Sequence, residues 1–121
     1  MKDAPMIYTL SVRLYRGENE EREKCFGPGI AELLKRVDRT RSLRSAAAEM
    51  SLAYSKAWRI VKETEAALGF KLLISQTGGV NGGGASLTQE AHDMLARFDG
   101  FLKELRAAAD VAFQNNFGNI S

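Results

Sequence analysis

The stretch that decides the fold is "SLRSAAAEMSLAYSKAWRIVKETEAAL", residues 42–68. Ser42 carries a side-chain oxygen able to accept from the first free amides of a helix, and the short, alanine-rich "LRSAAAEM" follows it. The chain turns through "SLA", and a second run extends from Tyr54 to Leu68. That run places Ala57, Val61, Thr64 and Leu68 on one inward face and stops at Gly69. Two short helices joined by a tight turn form a helix-turn-helix unit. The alanines carry the physical signal. Ala46, Ala47 and Ala48 give the first helix a small face, Ala57 does the same for the second, and the two can cross closely.

Working outward, the next feature is "TGGVNGGGASLT", residues 77–88, with five glycines between Gly78 and Gly84. Gly79, Gly84 and Ser86 fit three positions of a G-x-x-x-x-G-K-[ST] phosphate loop. Ala85 stands where the lysine must be, and no apolar buried strand of the kind a nucleotide fold requires precedes it. The stretch reads instead as a hairpin tip between "FKLLISQT" and "ASLT". A hairpin directly after the second helix makes the unit a winged helix. Upstream, Tyr8, Leu10, Val12 and Leu14 alternate with polar residues, which predicts a half-buried strand. "RGENEEREK" then turns and "KCF" is a second short strand. Pro28 opens a helix over "GIAELLKRVDRT", with Ile30, Leu33, Leu34 and Val37 on one face. Thr88 caps a long final helix over residues 89–113, followed by a frayed tail "QNNFGNIS". The expected architecture is mainly α with short β: a winged helix-turn-helix with an N-terminal β-hairpin and a long C-terminal dimerisation helix. The expected boundaries are 1–88 for the winged unit, with its wing at about 72–88, and 89–121 for the dimerisation helix and tail.

Composition sets the class. The chain has 121 residues, 45% hydrophobic and 26% charged, as expected for one globular core. No apolar run approaches the roughly 20 residues of a membrane span, and the N-terminus lacks the apolar segment of a signal peptide. A cytoplasmic protein is expected. The single cysteine, Cys25, reads as a small buried hydrophobe, and His92 has no second ligand at metal spacing. No catalytic constellation is present, so neither an enzyme nor a cofactor or metal is expected. The charge is uneven. Between Lys35 and Lys62 there are eight basic residues against Asp38 and Glu49, a net +6, so the remainder carries −4 of the overall +2. A basic segment in an otherwise acidic chain points to a polyanionic partner.

The blocks "SLRSAAAEM", "AYSKAWRIVKE" and "TGGVNGGGASLT", in that order, resemble the N-terminal DNA-binding domain of the molybdate-responsive ModE regulators, which are related to the LysR-type winged helices. The resemblance implies a homodimer on an inverted-repeat operator, with residues 54–68 as recognition helix and 78–85 as wing. Full-length members add paired molybdate-binding domains for which these residues leave no room, so molybdate is not an expected ligand. Three positions depart from the pattern. Arg41 replaces the usual glycine before the serine that opens the first helix of the unit. Ala53 replaces a capping side chain, a loss of about 0.5–2 kcal/mol. Val80-Asn81 stands at the wing tip where a cation is common.

The outward arc of the second helix presents Tyr54, Ser55, Lys56, Arg59 and Lys62. Arg59 suits a guanine edge, Lys56 lies three residues before it, and Ser55 suits base or phosphate. Ser42, Arg44 and Lys62 suit phosphate, and Asn81 is the wing's hydrogen-bonding group. Trp58 is expected in core or wing packing. On the last helix, Met94, Leu95, Phe98, Phe101, Leu102 and Leu105 form an apolar stripe longer than a small domain can cover, and a second copy is expected on it. The alternative reading is a winged helix used as a protein-interaction module, its basic segment docking an acidic partner.

Overall fold

The computed structural model describes residues 3–76 and 84–119. Its order is β1 (Leu14–Arg16), a 3-10 turn (Asn19–Glu21), β2 (Glu23–Phe26), α1 (Pro28–Thr40), α2 (Leu43–Glu49), α3 (Tyr54–Leu68), β3 (Leu73–Gln76), β4 (Gly84–Leu87) and α4 (Gln89–Phe117). β1 pairs antiparallel with β2, opposing Leu14 to Phe26, with a bulge before Tyr15. β3 pairs antiparallel with β4, opposing Leu73 to Leu87. The result is a winged helix-turn-helix with an N-terminal hairpin and a long C-terminal helix.

Local chemistry sets the boundaries. Pro28 starts α1, where its missing amide hydrogen has no intrahelical acceptor to lose. The Ser42 hydroxyl oxygen accepts from the Ser45 amide at 3.0 Å and starts α2. α3 begins at Ala53 without any side-chain cap, so that departure from the expected pattern is real. Gly69 ends α3 in the left-handed conformation, φ 88°, with its amide on the Glu65 carbonyl at 2.8 Å. Ala46, Ala47 and Ala57 are all almost completely buried, which is the close α2–α3 crossing that small side chains permit.

The core gathers Phe26, Leu33, Leu34, Val37, Val61 and Leu72, and it extends to Phe98 of α4, whose ring meets Phe26 edge-on at 5.1 Å. Burying each of the large apolar side chains contributes about 1.5–3 kcal/mol. Cys25 belongs to this core. Thr88 joins wing to helix: its hydroxyl donates to the Lys71 carbonyl at 2.7 Å and accepts from the Ala91 amide at 3.0 Å. On the other side of the wing base, the Ala85 amide donates to the Arg41 carbonyl at 3.0 Å. Arg41 itself is left-handed, φ 60°, which costs a non-glycine residue about 1–2 kcal/mol.

Three expectations need correction. The strand expected over residues 8–14 begins only at Leu14. Residues 8, 10, 12 and 14 are half-buried and alternate with exposed neighbours, but the surface beneath the arm is helical. Leu10 and Val12 line a 290 Å³ groove with Phe98, Leu102 and Arg106 of α4. The Tyr8 ring packs on Phe113 at 5.1 Å, and its hydroxyl donates to the Asp110 carboxylate. An extended segment lying on a helix alternates in burial just as a ladder strand does. Secondly, α4 continues through "QNNF", where the Asn116 amide donates to the Ala112 carbonyl and Phe113 stacks on Phe117 at 5.4 Å. At 29 residues α4 spans about 43 Å. Thirdly, the apolar stripe of α4 does not face outward as a whole. Leu95 and Phe98 are buried in the chain's own core, Met94 and Leu102 pack against it, and Leu105 is half-buried. Phe101 is 45% exposed, and Ala108 and Ala112 beyond it are exposed as well. Among the described residues no helix is long and apolar enough to cross a membrane.

Candidate nucleic-acid interface

The site is built on the N-terminal ends of α2 and α3, which the close alanine crossing brings together. Arg44, one residue into α2, lays its guanidinium over the Tyr54 ring at 4.3 Å, a cation–π contact that ties the start of α2 to the first residue of α3. Tyr54 remains 40% exposed, so the stacked pair forms part of the outer surface. Ser55 and Lys56 follow on the same exposed turn. Ser42 uses its hydroxyl oxygen to cap α2, which leaves the hydroxyl hydrogen able to donate outward. Arg59 is exposed and lies 4.0 Å from Glu63, a solvated pair worth about 0–1 kcal/mol.

The basic segment divides sharply. Arg39 hydrogen-bonds the Glu49 carboxylate and Arg36 binds the same group at 3.2 Å, so both arginines of α1 are tied to α2. The Arg39 hydrogen bond, with Arg36 beside it, holds the Glu49 carboxyl below its usual 4.5. Lys35 pairs with Asp99 of α4 at 3.0 Å. Lys62 pairs with Glu65 at 3.3 Å and lies 5.6 Å from the Trp58 ring centre. Arg41, Arg44 and Lys56 have no acidic partner among the described residues. These three lie at or just before the starts of α2 and α3.

The expected contact residues are thus unevenly placed. Ser42, Arg44, Tyr54, Ser55 and Lys56 gather at the helix starts, and Arg59 follows one turn along α3. Lys62 is further along and already engaged by Glu65. Asn81 lies outside the described residues. Trp58, expected in packing, is 49% exposed, and Lys62 stands over it. One structural residue escaped the sequence reading. Glu65 is buried and accepts from the amides of Leu72 at 2.7 Å and Leu73 at 3.3 Å, fixing the entry to β3. Its signal was a carboxylate beside Thr64 and Leu68 on the inward face, which needs internal donors to be buried. His92 sits on the surface, 3.8 Å from Asp38.

With this geometry in hand, residues 31–92 match the family model described as "Bacterial regulatory helix-turn-helix protein, lysR family". The match runs from α1 through the first turn of α4, and it contains every cation of the basic segment. No curated protein matches the chain.

Proposed function

The chain belongs to the lysR family of bacterial regulatory helix-turn-helix proteins, and on that premise we propose that it regulates transcription as a homodimer on an inverted-repeat operator. The observation that carries the reading is the division of the cations. Those on α1 are matched by acidic side chains of the same protein. Arg44 and Lys56, at the outward ends of α2 and α3, are left for an external anion. In this reading α3 enters the major groove, and Arg59 reads a guanine edge through two parallel hydrogen bonds. Ser42, Arg44 and Lys56 hold phosphates and set register, Ser55 donates to base or phosphate, and Tyr54 stiffens Arg44. Lys62 is the weaker phosphate contact, since Glu65 already pairs with it, and Asn81 is the proposed contact of the wing.

The proposed dimer forms through α4. The part of its stripe left uncovered by the core, from Phe101 to Ala112 with Met94 and Leu105 at its edge, is the surface for a second copy. Leu102 borders it, and Leu95 and Phe98 support it from within the protomer. Two copies facing along this helix present their α3 helices to half-sites about 34–36 Å apart. The winged unit, residues 1–88, thus acts as reader and the remainder as dimer element, and the protein works in the cytoplasm. The resemblance to the ModE DNA-binding domain supports this arrangement. Selection of bound sequences from random duplex DNA tests the reading. An enriched inverted repeat is expected. No enrichment, with retained binding to an acidic protein, overturns it in favour of an interaction module.

A further inference from the structure

We infer that Arg41 is a phosphate-contacting residue, held at the crease between the helix-turn-helix and the wing; the inference rests on the duplex-binding reading above. The first observation is its backbone. At φ 60° and ψ 26° Arg41 occupies the left-handed region, which glycine adopts freely and other residues resist. Gly69 ends α3 in the same region, and of the non-glycine residues held at positive φ Asn19 and Ser51 carry short polar side chains, whereas Arg41 carries a long one. Both backbone bonds made here would form equally well with glycine. The amide donates to the Val37 carbonyl at 2.7 Å, and the carbonyl accepts from Ala85 at 3.0 Å.

The second observation is the side chain. It is exposed and forms no ion pair and no side-chain hydrogen bond among the described residues. The fold therefore bears the strain of an arginine without using its guanidinium. Strain kept in this way marks a functional position.

The third observation is location. Arg41 immediately precedes Ser42, lies three residues before Arg44, and is bonded through its carbonyl to β4 at the wing base. The first helix of a helix-turn-helix crosses the DNA backbone, so the residue ahead of α2 meets phosphates rather than bases. A guanidinium offers a phosphate two parallel donors. Bound to both halves of the reading head, it links their positions to one point on the backbone.

The test uses the full chain, a duplex carrying the selected site, and the variants Arg41→Gly and Arg41→Lys. Arg41→Gly removes the strain together with the charge, so its melting temperature should equal or exceed that of the wild type. Its affinity should nonetheless fall about threefold to tenfold at about 0.1 M salt. The slope of log affinity against log salt should become shallower by about one. Arg41→Lys should restore the slope while keeping the wild-type melting temperature. Unchanged affinity and slope in Arg41→Gly, with tight wild-type binding, overturn this inference alone. A lower melting temperature in Arg41→Gly also overturns it, since the side chain would then serve the fold. A wild type without salt-dependent duplex binding overturns the reading it rests on as well.

Discussion

The cations of α1 and those at the starts of α2 and α3 belong to one basic stretch of sequence and do opposite work. Arg36 and Arg39 converge on Glu49, and Lys35 on Asp99, so their charge is consumed in holding helices together. Arg44 and Lys56 meet no acid among the described residues, and Arg44 is pinned on Tyr54 with its charge intact. The lesson is that the charge of a window is not the charge of a surface. Asp99 and Glu65, which lie outside the basic window, neutralise two of its eight cations. The useful quantity is how many cations remain once folded partners are counted.

The comparison breaks most visibly if the two groups are removed separately. Replacing Arg44 and Lys56 together by alanine should lower duplex affinity roughly a hundredfold and make the salt slope shallower by about two. Melting should move little, since the loss is confined to the exposed Arg44–Tyr54 contact, about 0.5–1 kcal/mol. Equal losses of stability and binding would end the distinction. The next largest effect is on the structural side. Glu65→Ala strands the Leu72 and Leu73 amides and frees Lys62, so it should destabilise by about 2–3 kcal/mol in denaturant titration. A shift below about 0.5 kcal/mol would show that water replaces the carboxylate without loss.

Arg59 sharpens the binding side. Arg59→Ala should lower discrimination between specific and nonspecific duplex by about 1–2 kcal/mol in competition titrations. An unchanged ratio would move Arg59 to the phosphate group. The smallest effect concerns Glu49. Its carboxyl is depressed by Arg39 and Arg36, so the pair stabilises the fold above pH 4.5, the usual value. That contribution is lost as pH falls below 4.5 through the folded-state value, where the carboxylate takes up a proton. The melting temperature of Glu49→Gln should therefore trail the wild type near neutrality and converge with it in acid. A gap that stays constant with pH would rule out the linkage.

Much of the fold was legible because its signals are local. Ser42, Pro28, Thr88 and Gly69 act on amides and carbonyls within four residues, and α3 occupies the expected residues 54–68. What was not legible depends on distant partners. The alternation from Tyr8 to Leu14 is real, but period two does not say whether a strand or a helix lies beneath. The stripe of α4 was visible, yet only the fold shows that Phe98 lies against Phe26 and that Phe101 remains outside. Trp58 lies beside the inward stripe of α3, which is what suggests packing. Its exposure follows from its place on α3 between the buried Ala57 and the exposed Arg59. Of the candidate site, the residues at the helix starts were legible as an outward arc. Which cations keep a free charge was not, because Asp99 and Glu65 reach back from later in the chain.

The arm that lies along α4 also sets an order of events during synthesis. Tyr8 and Asp110 are 102 residues apart, so the arm must wait for the helix segment that its tyrosine bonds. At about 5–20 residues per second that interval is roughly 5–20 s. Closing so long a loop adds little to the equilibrium, because the entropy of closure grows only with the logarithm of length. Timing is affected far more. While α1, α2 and α3 are assembling at the exit of the ribosome, Leu10 and Val12 have only the α1 side of their groove, Pro28, Ala31, Glu32 and Lys35, to lie on. For those seconds the nascent chain displays the apolar side chains of the arm without the α4 side of their groove, and the release of α4 brings that exposure to a close.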